Sequence, residues 1–220
     1  MNNHYGVIWD LDGVLVDTGE FHFQSWLKTL APYQIPFDHD FFRKTFGMNN
    51  TGVLTTLLGH SHDPQLLSAI SDEKERLFRE LIQGRVQPMS GVRIWLDRFA
   101  GESFLQAIGS SAPQANIDAL VNEMGIRSYF KAIVSGANMP GKPDPAVFLE
   151  AARLMEIPAE KNLVIEDSVA GVAAARRAGM KCLAVLTSHS REALNAAHLV
   201  VEGLDQLSPD DLRKLIAIRD

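Results

Sequence analysis

The chain has 220 residues, 46% of them hydrophobic, and a formal net charge of -6 at pH 7. That is enough for one core plus a smaller module, and an acidic balance gives no general attraction for nucleic acid or an anionic membrane. No apolar run approaches the ~20 residues of a membrane span. The lone Cys182 cannot form an intramolecular disulfide, and MNNHYGVIWDL lacks the basic and long apolar regions of a secretory signal, so a cytoplasmic protein is expected.

In chain order, the first element is the apolar run YGVIWD (5–10), which runs directly into DLDGVLVDT (10–18), three aspartates in nine residues. Helical patterns follow without a strand. Residues 20–30 put Phe21, Trp26, Leu27 and Leu30 at helical spacing; Phe41, Phe42 and Phe46 come next, then Val53, Leu54, Leu57 and Leu58. Asp63 followed by Pro64 opens a further helix to about Ile82. Five more apolar runs lie beyond: SFLQAIGS (103–110), KAIVSG (131–136), NLVIED (162–167), KCLAVLT (181–187) and HLVVEG (198–203). Each is near-continuously apolar, as strands buried on both faces of a parallel sheet are. Helical patterns separate the later runs: one starts at Pro113, one has Asp144 as N-cap and Pro145 at its first position, and one runs from Ser168 to a stop at Gly179. The expected fold is α/β, a doubly wound, Rossmann-like parallel sheet with a four-helix bundle inserted after the first strand. The core is assigned to residues 1–16 and 86–220, the helical cap to 17–85, with hinges at 15–19 and 84–90.

Carboxylates cluster at the ends of these strands. Ligands of open α/β sheets bind beyond the carboxyl ends of the strands, where the strand order reverses. Asp10 and Asp12 sit at such an end and, two residues apart, share a face. Aspartates also make turns and caps, which suits Asp17: Glu20 three residues on gives the capping-box spacing. It suits Asp10 poorly, because a carboxylate ending a buried strand is costly unless paired or on a metal. Glu166 and Asp167 end another strand, and two acidic strand ends point to a hard cation such as Mg²⁺. Ser110 and Ser111 end the second strand as donors for a phosphate oxygen, and Lys142 in PGKPDP suits a point-charge contact to phosphate. Taken singly, the serines also read as a cap ahead of Pro113, Lys142 as a solvated loop lysine and Asp167 as a cap for the helix at Ser168. Four such sites in order, each at or just beyond a strand end, are much harder to explain that way.

Those four sites resemble the motifs of the haloacid dehalogenase superfamily. DLDGVLVDT matches the first, with Val14 where most of its phosphatases carry Thr; AIGSS (107–111), GKPDP (141–145) and VIEDSVAG (164–171) resemble the second, third and fourth. The core match covers nearly the whole chain outside 20–85, where the family places its cap. The resemblance implies that Asp10 is a nucleophile forming an aspartyl-phosphate and that Asp12 is a general acid/base. It implies that Mg²⁺ lies on the Asp10 side chain, the Asp12 main-chain carbonyl and Asp167, with Glu166 in or beside that set, and that Ser110 and Lys142 bind phosphate oxygens. Family dehalogenases and phosphonate-cleaving members lack an aspartate at the place of Asp12.

The cap is most similar to that of β-phosphoglucomutase and its sugar-phosphatase relatives, through GEFHFQSW (19–26). That likeness implies a place for His22 near the acid/base and for Lys74 reaching toward the site; solvent-facing helix positions are the other reading of both. The mutase carries an arginine on its second phosphate where this chain has Asn50, a neutral amide that cannot replace a guanidinium on a dianion; Arg43 or Lys44 is the neighbouring substitute. The expected function is therefore Mg²⁺-dependent hydrolysis of a small phosphate monoester, of a sugar or polyol, with phosphomutase and non-catalytic phosphate sensor as alternatives. The expected partner is a small phosphorylated metabolite, with no nucleic acid and no membrane. Nothing in the sequence sets the oligomeric state; a monomer is the expectation.

Overall fold

All six apolar runs become strands of one parallel sheet: β1 (Gly6–Trp9), β2 (Leu105–Ser110), β3 (Ala132–Ser135), β4 (Asn162–Glu166), β5 (Lys181–Val185) and β6 (Leu199–Val201), in the order β3-β2-β1-β4-β5-β6. The computed structural model describes residues 5–59, 63–102 and 104–217. Ser103, the first residue of the second apolar run, lies outside the described residues, as do both ends of the range assigned to the core. Alternation along β1 explains the two cores: Val7 and Trp9 join one apolar cluster, and Ile8 joins the other. Helices α5 (Val92–Gly101), α6 (Gln114–Glu123) and α9 (Pro209–Ala217) cover the first face, and α7 (Ala146–Met155) and α8 (Val169–Arg177) the second. The chain works outward from β1 to β3, then crosses back to place β4 on β1's other side. The strand order thus reverses between β1 and β4.

Among the described residues, the insertion forms four α-helices, α1 (Gly19–Leu30), α2 (His39–Thr45), α3 (Asn50–Leu58) and α4 (Pro64–Ile82). Phe23, Trp26, Leu30, Phe37, Val53, Leu54 and Ile70 give them a core of their own, while Phe78 and Ile82 at the end of α4 pack into the sheet's core. The two crossings between cap and sheet meet: Val16 bridges Pro88, and the Met89 N–H donates to the Leu15 carbonyl (3.0 Å). Among the described residues, no helix is long and apolar enough to cross a membrane.

Four local expectations need correction. Helices α5 and α9 were not anticipated. Leu27 is exposed (39%), and Phe23 faces inward instead. Helix α7 begins one residue late, with Pro145 at the N-cap position, although Asp144 still accepts from the Ala146 N–H (2.9 Å). Asp17 is not the N-cap of α1. It is exposed and accepts from the Gly19 N–H (3.2 Å), while Thr18 holds the N-cap position without capping. The Thr18 hydroxyl is drawn to an ionised acceptor, Asp12, instead.

Candidate active site

Strand order puts Asp10, one residue past β1, beside Glu166 and Asp167 at the end of β4. One carboxylate oxygen from each of the three lies within 4.8 Å of the others, and all three residues are buried. Lys142, on the loop before α7, donates to Asp10 Oδ1 (2.5 Å) and Glu166 Oε1 (2.6 Å), with its ammonium over the Phe148 ring. Burial alone would lower the Lys142 pKa, but these two carboxylates outweigh it and hold it raised. Three carboxylates crowd round this one ammonium, which bonds two of them. Burial, with Glu166 and Asp12 nearby, pushes Asp10 up to about 7 despite Lys142. Burial, Glu166 and Asp10 likewise raise Asp167 well above the usual carboxylate range.

The local sequence makes room for this crowding. Gly13 has φ of +84°, where L side chains strain, and a Cβ there would overlap the Asp167 carboxylate. A Cβ on Gly171 would overlap Glu166. Glu166 Oε2 accepts from the Asp167 N–H (2.8 Å), the Ser168 N–H (2.7 Å) and the Ser168 hydroxyl (2.9 Å). It is therefore fully engaged with Lys142 and the start of α8. Asp10 and Asp167 keep free oxygen capacity in a site with surplus negative charge, and this hard, all-oxygen donor set fits Mg²⁺.

Asp12 points away from that cluster. Its Oδ1 accepts from the Thr18 hydroxyl (2.5 Å) and lies 3.2 Å from His22 Nε2. Lys74 Nζ is 2.8 Å from His22 Nδ1. An ammonium has only donors, so Nδ1 accepts and the Nε2–H faces Asp12. The His22 ring stacks on Phe78 at 4.0 Å. Burial pulls Asp12 upward, yet His22, Thr18 and Lys74 together hold it below its ordinary value. Lys74 is buried, not a member of a solvated charge run; it also donates to Glu75 (2.8 Å), and its ammonium lies over the Trp26 and Phe78 rings. Glu75 also accepts from Asn50 (2.8 Å) and, across to α6, from Asn116, whose carbonyl accepts from Arg79 (2.9 Å).

A cavity over Asp10 and Asp12 collects most of the expected set. His22, Asn50, Lys74, Ser110 and Ser111 all line it, with Trp26 and Phe46 from the cap. Ser110 is buried at the end of β2, and its Oγ accepts from the Ala112 N–H (3.0 Å). Neither Arg43 nor Lys44 takes the place of the missing arginine. Both are exposed on α2, where Arg43 pairs with Asp40, and neither lines the cavity. Cys182 is buried, and burial pushes its thiol far up, away from nucleophilic use.

Sequence reasoning missed Thr18, Glu75, Asn116 and Ser188, whose hydroxyl donates to Asp167. Thr18 was masked by the capping-box spacing around it, and Glu75 by the D-E-K-E-R run. Asn116 and Ser188 carry no signal of their own, since only the fold brings them in.

A profile of the haloacid dehalogenase-like hydrolases matches residues 7–185. The chain is 34% identical to a chloroplastic 5-amino-6-(5-phospho-D-ribitylamino)uracil phosphatase of Arabidopsis thaliana over 96% of its own length, but spans only 57% of that longer protein. It is 30% identical to a phosphorylated carbohydrates phosphatase of Thermotoga maritima, over 80% of this chain and 82% of the relative. Among solved structures, a β-phosphoglucomutase from Clostridium difficile superposes with a TM-score of 0.88 at 25% identity, covering 97% of each chain. With the four strand-end motifs meeting beneath a helical cap, the chain belongs to the haloacid dehalogenase-like hydrolases, as an enzyme of their β-phosphoglucomutase-like branch.

Proposed function

We propose that the protein is a Mg²⁺-dependent phosphohydrolase that cleaves a small phosphate monoester, of a sugar or polyol, in the cytoplasm. The observation that carries this reading is the pairing of two differently prepared aspartates. Asp10 lies against Lys142 and Asp167, and Asp12 is held by Thr18 and His22. In this reading Asp10 attacks phosphorus and becomes the aspartyl-phosphate. Asp12, ionised in the resting site, first takes up a proton, gives it to the departing alkoxide, then takes one from the water that opens the acyl phosphate. Lys142, oriented by Glu166, and Ser110, with Ser111 at the rim, receive the phosphoryl oxygens. Asp10, Asp167 and the Asp12 main-chain carbonyl would hold Mg²⁺, which supplies charge neutralisation between anionic nucleophile and anionic phosphate. The cap, residues 17–85, turns about the joined crossings at 15–19 and 84–90 to admit substrate and exclude water.

The phosphatases among its relatives support hydrolysis. Transfer of the mutase kind would require a grip on a second phosphate, and Asn50 is instead hydrogen-bonded to Glu75. The test is phosphate release from a panel of sugar and polyol phosphates with Mg²⁺, including β-glucose 1-phosphate, with glucose 6-phosphate followed in parallel and Asp10→Asn as control. Release that the control abolishes is expected. Glucose 6-phosphate formed without free phosphate would instead establish a mutase, and metal binding without turnover a sensor.

A further inference from the structure

We propose that Glu75 is a specificity-determining residue that restricts the site to monoesters whose leaving group is uncharged; this rests on the phosphohydrolase reading and deepens it. Among the described residues lining the cavity over Asp10 and Asp12, Lys74 is the one cation. Lys142 is engaged by Asp10 and Glu166. Glu75 lines the same cavity, is 6% exposed, and lies 2.8 Å from the Lys74 ammonium. The one lysine or arginine of that lining is thus matched by a carboxylate next to it in sequence.

Glu75 also takes the Asn50 amide N–H (2.8 Å), removing that donor from the cavity wall. Its other oxygen is held from the core by Asn116, so the carboxylate is fixed at the seam between cap and sheet. A second phosphate or carboxylate entering this end of the cavity meets an ionised acceptor with its donors already committed. Such like-charge juxtaposition is how a site rejects one ligand while tolerating its neutral analogue. Hydroxyl-bearing leaving groups face no such penalty.

The experiment compares glucose 6-phosphate with 6-phosphogluconate, which share a carbon skeleton and differ by one carboxylate. The wild type is expected to favour the neutral ester by at least ~10-fold in kcat/KM, and Glu75→Gln to narrow that ratio ~10-fold. Asn50→Arg alone is expected to change the ratio by less than ~3-fold, because Glu75 captures the guanidinium, whereas the double variant reverses the preference. A Glu75→Gln ratio within ~2-fold of wild type, or reversal by Asn50→Arg alone, would overturn the proposal. The same variants in an Asp10→Asn background give the ratio of binding constants by calorimetry without turnover. Loss of phosphate release in the wild type would count against hydrolysis, an unchanged binding ratio against Glu75, and failure of every variant to bind either ester against both.

Discussion

Gly171→Ala sets two effects of opposite sign against each other. Gly171 lies in the first turn of α8, its N–H donating to the Ser168 hydroxyl (3.0 Å). On helix propensity alone, alanine gains up to ~1 kcal/mol over glycine. The new methyl, however, overlaps the Glu166 carboxylate. That side chain is fully buried and held by Lys142 at 2.6 Å and by two N–H groups and a hydroxyl at 2.7–2.9 Å, so it has nowhere to relax. Displacing it breaks a buried ion pair from one side, which costs about 3–5 kcal/mol. The net expectation is destabilisation of about 2–4 kcal/mol. Urea unfolding followed by fluorescence would register it as a lower midpoint at unchanged m. Phosphate release should fall by roughly 10²-fold as Lys142 loses its second anchor. A variant as stable as wild type, or more so, with activity intact would refute the claim that Glu166 is immovable.

Three further outcomes are expected. Burial raises Glu75, but Lys74, His22 and Asn50 hold it below its ordinary 4.5. Its ionised form therefore stabilises the fold above pH 4.5, and this contribution fades as pH falls through the lower folded-state value; the Tm difference between wild type and Glu75→Gln should shrink only below that pH. Burial pushes Asp10 up to about 7, so Mg²⁺ held there as proposed would displace a proton near neutrality, and its affinity should rise between pH 6 and 8 with proton release seen by calorimetry in buffers of different ionisation heat. His22→Asn should lower kcat by about 10–100-fold with little change in KM, because it removes the N–H facing Asp12 and not a phosphate contact.

What was legible in the sequence follows from how each signal is encoded. Strands buried on both faces announce themselves as continuous apolar runs, so all six were visible, and the chemistry was visible because it sits at their ends. Helices α5 and α9 are amphipathic and lie between or beyond stronger patterns, so no run marks them. Helical periodicity identified α1 but chose Leu27 over Phe23, although Leu27 lies at the edge of the buried stripe formed by Phe23, Trp26 and Leu30. Asp17 was misjudged because spacing alone describes a capping box, whereas the Thr18 hydroxyl had a charged competitor, Asp12, that only the fold brings close. Glu75 was hidden for the converse reason. In a run of charges nothing in the sequence separates the pair that faces inward from the neighbours that remain solvated, and here the helix turns Lys74 and Glu75 in while Glu73 and Arg76 pair on the surface.

The joining of the two cap crossings has a mechanical consequence. A lid on two independent tethers can slide, twist and tip, but tethers fastened to each other at Val16 and Pro88 act as a single pivot. If the cap closes as proposed, closure reduces to one angle, and a bulkier leaving group would be met by stopping at a wider setting of that angle. On the proposed reading, tolerance for size would belong to the pivot and tolerance for charge to the wall bearing Glu75, so substitutions at one would leave the other free to vary.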